Sequence, residues 1–329
     1  MIQFSVVAAR VLLEPDTYIY IAWGVLIALS VVVALICYFG RRRWIKWTSV
    51  AVLSLSWPAF LYGVYVGIYQ LEVRHVELAF DDLPPAFDGY RIVQFSDVHV
   101  GTLTGSRQQI LERAIDSINA QRADAVVFTG DLQNKRPMEL DSLVDLLNTV
   151  KAKDGVFAVK GNHDYPMYVG DDVNLMADDA YYRQILDEEI IWRDLDNARA
   201  IIQRGDDRIV IAGMENDGDG ERFPQKGNVQ RALMGISHDD FIVMLEHDPT
   251  AWRRKILPQC HAQLTLSGHT HGGQASLFGI SLASLAYRES EGLYSVGDRY
   301  LYVSKGLSGV VPFRLGATPE IVVITLRKK

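Results

Sequence analysis

Cysteine is nearly absent from this chain. There are two in 329 residues, Cys37 inside an apolar run and Cys260 in a distant polar part. No disulfide between them is expected, and a Cys-rich zinc module is excluded. Basic charge is also scarce: 33 Lys and Arg stand against 40 Asp and Glu, a formal net charge of -7. That balance argues against a dedicated nucleic-acid binder, which would show a basic face. There is no internal repeat, low-complexity tract or disordered linker. With 49% hydrophobic and 22% charged residues, global disorder is excluded. The length suits a membrane segment followed by one large globular domain.

Charge is missing altogether from two apolar runs, residues 17–39 and 47–69. Each reaches the roughly 20 residues that a helix needs to cross a bilayer. Tyr18, Tyr20, Trp44, Trp47 and Tyr69 sit near their ends, where amphipathic rings favour the interface. The alternative is a buried helical hairpin of a soluble protein, but two such runs in tandem are rare there. Residues 1–70 are therefore expected to be a membrane anchor with two transmembrane helices, and residues 71–329 the globular domain. Arg41, Arg42, Arg43 and Lys46 fill the link between the runs. Positive residues stay on the cytoplasmic side, so the domain is expected on the extracytoplasmic side of the cell (inner) membrane. The apolar stretch 1–13 is too short to span.

Beyond residue 71 the sequence alternates short β-rich runs with helical spacing. Strands are expected at 73–80, 91–96, 123–129, 155–160, 199–202, 208–212, 241–245, 263–266, 300–304 and 321–326. Helices are expected at 106–120, with Ser106 as its cap, and at 140–150. This pattern predicts a layered α/β fold. Five expected strand ends carry carboxylate, imidazole or amide groups: Asp97-Val98-His99, Gly130-Asp131, Gly161-Asn162-His163-Asp164, Glu246-His247-Asp248, and Gly268-His269-Thr270-His271-Gly272-Gly273-Gln274. Sites in open α/β sheets form at the carboxyl ends of strands. Asp and His are ligands suited to zinc, iron or manganese, and two such ions about 3.5–4 Å apart clamp a phosphoryl group. One carboxylate must bridge the pair, and Asp131 is well placed for it. Asn162 offers a neutral carbonyl ligand. The glycines at 130, 161 and 268 are read as permitting tight turns.

These elements, D-x-H, G-D, G-N-H-D, a lone His and G-H-x-H in that order, resemble the calcineurin-like metallophosphoesterase superfamily over roughly residues 88–326. The GHTHGGQ ending and the two leading spans resemble its membrane-associated bacterial branch. The resemblance implies a β-sandwich of two mixed sheets flanked by helices and two divalent cations (Mn, Fe or Zn). Asp97, His99 and His271 would hold the first, Asn162, His247 and His269 the second, and Asp131 would bridge them. It implies in-line attack on phosphorus by a hydroxide held between the metals, with His163 assisting the leaving oxygen and Asp164 orienting the His163 ring.

The function expected is hydrolysis of a phosphodiester or pyrophosphate bond in a lipid or envelope-linked substrate, with the membrane as partner and no protein partner implied. Some relatives of this branch cleave UDP-2,3-diacylglucosamine, which transfers here by analogy only. The alternatives are a general phosphomonoesterase and a metal-binding envelope protein without turnover. His75, His238 and His261 are read as structural or exposed. Asp171, Asp172, Asp178, Asp179, Glu188 and Glu189 are read as a solvated face, and Asp217 and Asp219 as a turn. Residues 276–287 are either a buried strand or helix or an apolar rim beside the site. Lys305 and Arg314 are weak candidates for phosphate contact.

Overall fold

The computed structural model describes residues 12–169 and 173–329. Helix α1 (Pro15–Phe39) and helix α2 (Arg43–Tyr65) form an antiparallel hairpin joined by residues 40–42. Arg43 and Lys46 therefore lie on the first turn of α2 rather than in the link. Trp57 Nε1 donates to Ser30 Oγ at 3.2 Å, and Trp23 packs edge-on against Trp57 and Phe60. The most apolar windows of the two helices are only 6% and 17% buried. Side chains such as Leu55, 74% exposed, point away from the protein. A helical hairpin buried in a soluble core would not leave them so, and the two helices suggest membrane association. The run to residue 69 is not one helix: a 3-10 turn at Gly67–Tyr69 follows α2, and Gly67 and Ile68 are buried against the globular part.

The globular part holds two six-stranded mixed sheets. The first runs β1 (Glu72–Phe80), β14 (Glu320–Lys328), β2 (Arg91–Phe95), β3 (Ala125–Phe128), β4 (Val156–Ala158) and β5 (Arg193–Asp194). The second runs β12 (Gly292–Val296), β13 (Arg299–Val303), β9 (Leu264–Ser267), β8 (Phe241–Leu245), β7 (Asp207–Gly213) and β6 (Ala198–Arg204). In the first, β2, β3 and β4 are parallel, while β14 pairs parallel with β1 and antiparallel with β2. In the second, β7, β8, β9 and β13 are parallel. The central strands read as continuous β-branched runs because both of their faces are buried.

Between the sheets Ile92, Val127 and Phe157 meet Ile211, Val243 and Leu266 in one core. On the outer face of the first sheet, Val93, Phe95, Val126 and Phe128 pack with Ile110, Ala114, Ile115 and Ile118 of helix α3 (Gln108–Ala120). Val210, Ile242 and Met244 face Trp252 and Ile256 on the far side of the second. Each parallel strand returns through a crossover, so the C-terminal ends of β2, β3, β4, β8 and β9 open toward one side. Some local expectations shift. Helix α3 starts at Gln108 with no side-chain cap, so Ser106 does not cap it. The segment 140–150 contributes only one α-turn, Val144–Leu147.

Candidate metal centre

The five motif loops meet where the two sheets' strands end. Asp97 and His99 follow β2, Asp131 follows β3, Asn162 follows β4, His247 follows β8, and His269 and His271 follow β9. Asp97, His99, Asp131 and His271 present ligand atoms all within 4.8 Å of one another, and Asp131, His247 and His269 form a second such group. Asp131 belongs to both. Its Oδ2 is 3.5 Å from His99 Nε2 and 3.2 Å from His247 Nε2. Asn162 Oδ1 stands 3.1 Å from His247 Nε2 and 2.7 Å from His269 Nδ1.

The backbone is bent to achieve this. Asp97, His99, Asp131, His269 and His271 all have positive φ, between 43° and 73°. Non-glycine residues seldom sit there, and such strain concentrates at functional sites. Gly130, at φ +96°, makes the tight turn expected of it. Gly161 and Gly268 do not have positive φ; they are needed for space. A Cβ on Gly161 would run into the Asp131 carboxylate, and one on Gly268 into Ser96 and Asp97.

The donor set fits cations. His99 is fully buried, and among the described residues neither of its ring nitrogens has a hydrogen-bond partner. A polar group in that position is costly unless something else occupies its lone pair. Burial, with His163 beside it, pushes the His99 pKa down to about 3. Burial and His99 hold His271 well below the usual range. Both imidazoles are thus neutral and able to offer a lone pair. Burial lifts the Asp97 carboxyl to about 7, against the pull of His247. Burial would raise Asp131 too, but His247 and His163 outweigh it and keep it well below the carboxylate range. Burial likewise opposes a charge on His247, yet Asp131 and Asp97 carry its pKa up to about 10. A bound cation would supply the positive charge that protonated His247 holds beside Asp131 and would free its Nε2 to ligate.

Outer partners fix the rings. His247 Nδ1 faces the Thr129 carbonyl at 2.7 Å. His269 Nε2 faces the Tyr287 hydroxyl at 2.9 Å, leaving Nδ1 toward the centre. Such contacts set which nitrogen is free to ligate. The His163 backbone N–H donates to Asp131 Oδ1 at 2.7 Å. Its ring stacks on Tyr168 at 4.1 Å, and Nδ1 meets the Asn134 carbonyl at 2.6 Å. The role foreseen for Asp164 changes here. Its carboxylate accepts the backbone N–H groups of Asp131, Leu132 and Gly161 at 2.8–2.9 Å, and so ties two motif loops together instead of orienting the His163 ring. The reason is local: the chain turns at Gly161, and Asp164 folds back under that turn.

Other expectations are corrected as well. Every described donor contact of the Arg314 guanidinium is to a backbone carbonyl: His271, Ala317, Lys305 and Ser308. Lys305 Nζ is paired with Glu320 and Glu72. Neither is free for a phosphate. Asp178 is not solvated: it is buried and takes two hydrogen bonds from Arg136, at 2.9 and 3.1 Å. Asp217 is more than a turn residue, since its buried carboxylate pairs with Arg254 and Lys255. Asp171 and Asp172 lie outside the described residues. His75 is exposed, and His261 stacks on His238 far from the centre.

The calcineurin-like phosphoesterase family model matches residues 90–273, more than half of the chain. The chain belongs to this family. Membership places it in a class of metal-dependent phosphoester hydrolases. It is 30% identical over 288 residues to a Danio rerio protein named "Transmembrane protein with metallophosphoesterase domain", covering 85% of this chain and 63% of that one. It is 29% identical over 279 residues to an uncharacterized metallophosphoesterase of Aquifex aeolicus, covering 82% of this chain and 98% of that one. A crystal structure from Thermus thermophilus aligns at a TM-score of 0.42 and 14% identity, over 67% of this chain and 91% of that one.

Proposed function

We propose that this protein is a membrane-anchored phosphoesterase that hydrolyses a phosphodiester or pyrophosphate bond, with its globular part outside the cytoplasm. The observation that carries the reading is the double membership of Asp131: two ligand groups share one carboxylate, as a two-cation site requires. Asp97, His99 and His271 would hold one cation and Asn162, His247 and His269 the other. A bound pair would supply Lewis acidity and a water of lowered pKa. The chain's own residues do the rest. The His163 backbone N–H fixes Asp131 in its bridging orientation. The Asn134 carbonyl only accepts, so it holds a proton on His163 Nδ1 and presents Nε2 to the centre. With Nδ1 held protonated, Nε2 carries a proton only in the imidazolium, and in that form it donates to charge on the phosphoryl group or protonates the leaving oxygen. Orientation follows from Arg41, Arg42, Arg43 and Lys46 at the turn of the helical hairpin.

The test combines metal analysis of purified protein with hydrolysis of bis-p-nitrophenyl phosphate and p-nitrophenyl phosphate. The expectation is two divalent ions per chain, preference for the diester, and loss of both ions and turnover in Asp131→Asn. A preference for the monoester would favour a general phosphomonoesterase. Protein that binds two ions but cleaves neither ester would favour a binding role, and protein that binds none would end the proposal.

A further inference from the structure

The segment after the last ligand motif exposes more apolar surface than its fold needs. Strands β10 (Ser276–Leu277) and β11 (Ile280–Ser281) form a two-residue hairpin with Phe278-Gly279 at the tip. Both tip residues have positive φ, +54° and +78°. That is the pattern of a type I′ turn, where Asn-Gly is the favoured pair. Phe is a poor choice there for the backbone, and its ring is fully exposed, so no core explains it either. Leu277, Ile280, Leu282 and Leu285 are 48–85% exposed around it. Single exposed apolar side chains are ordinary; a contiguous patch marks a contact surface.

The hairpin is linked to the end of helix α2. Ala275 bridges to Leu315, and Ser276 N–H donates to the Leu315 carbonyl at 2.7 Å. One residue away, Arg314 N–H donates to the Gly63 carbonyl of α2 at 3.0 Å, and Phe313 stacks on Phe60. The patch is thus continuous with the end of the second apolar helix, where Leu61, Tyr62, Tyr65 and the following Val66 are 37–60% exposed. On its other side the same segment ends at Tyr287, whose hydroxyl meets His269.

We infer that the β10–β11 hairpin and the turn Leu282–Leu285 insert into the lipid surface beside α2, so that the metal centre draws a lipid-borne phosphate ester from the bilayer. The substrate half of this inference rests on the hydrolytic reading above; the insertion does not. The occupant is lipid, not a second copy of the chain. α2 already fixes this edge at the membrane, and apolar side chains partition there with the area they bury.

The experiment places an environment-sensitive fluorophore at Phe278→Cys in full-length protein carrying Cys37→Ser and Cys260→Ser, in lipid nanodiscs with one chain per disc. The expected result is a blue-shifted emission quenched by nitroxide-labelled lipids. The same probe at Met234→Cys, 65% exposed ahead of β8, should stay unshifted and unquenched. An unquenched probe at 278, or one insulated only when two chains share a disc, overturns the insertion. In parallel, the pair Phe278→Asn and Leu285→Gln keeps a favourable turn. It should cut kcat/KM on a vesicle-borne phosphate ester by at least about tenfold and leave bis-p-nitrophenyl phosphate turnover within about twofold. Equal losses on both substrates overturn the delivery role. Parent protein inactive on both substrates, with the quenching intact, counts against the hydrolytic reading instead.

Discussion

Asp131 shows how much a single side chain can be asked to do. One oxygen faces two imidazoles, the other accepts from the His163 backbone, and the residue sits at φ +62° on the turn after β3. Residue types at this level were legible in the sequence because the chemistry restricts them: manganese, iron and zinc draw on carboxylate, carbonyl and imidazole ligands. The supporting partners were not. The Asn134 and Thr129 contacts use main-chain carbonyls, which every residue has, and Tyr287 lies 18 positions from the ring it meets. Nothing in spacing singles them out. Tyr287→Phe removes the hydroxyl that meets His269 Nε2. Loss of such a partner typically costs about 10–100-fold in metal affinity. Calorimetric titration of metal-stripped protein with manganese or zinc should find that loss with the fold intact; unchanged affinity would assign the hydroxyl no such role.

At the scale of elements, the parallel strands were legible from their β-branched runs, and their ends located the motif loops. Less visible were β5, two residues long, the antiparallel β12, and the insertion of β14 between β1 and β2, a long-range pairing no local pattern encodes. The loops themselves are joined by Asp164, which holds the ends of β3 and β4 together through the backbone N–H groups of Asp131, Leu132, Gln133 and Gly161. Asp164→Ala would strand those buried donors, each costing about 1–3 kcal/mol. A total destabilisation of roughly 3–5 kcal/mol is expected, read as a lowered Tm for metal-stripped protein. A change under about 0.5 kcal/mol, the scale of ordinary surface substitutions, would show that the clasp is dispensable.

For the whole molecule, charge was the sparse but decisive signal. Arg41, Arg42, Arg43 and Lys46 cluster where the two apolar helices join, and the proposed orientation rests on them. A reporter enzyme that is active only outside the cytoplasm, fused after Lys329, should therefore be active. Replacing Arg41, Arg42, Arg43 and Lys46 with Ala should reduce that activity, because the bias that retains the turn is gone. An inactive fusion on the parent chain would place the globular part in the cytoplasm.

The helical pair is tied to the globular part at several points, among them Lys135–Glu14 and Arg107–Asp16, and two of these ties run to the candidate metal centre. The Leu12 N–H reaches the carbonyl of Tyr168, whose ring lies on His163, and Gly63 takes the N–H of Arg314, whose guanidinium holds the carbonyl of His271. On the proposed membrane topology, a tilt of the helix pair would be passed to both flanks of the candidate metal centre. Protein shortened to residues 71–329 would lose both of these ties, so metal affinity measured on it by calorimetry is expected to fall below that of the intact chain; equal affinities would show that the ties do not shape the centre.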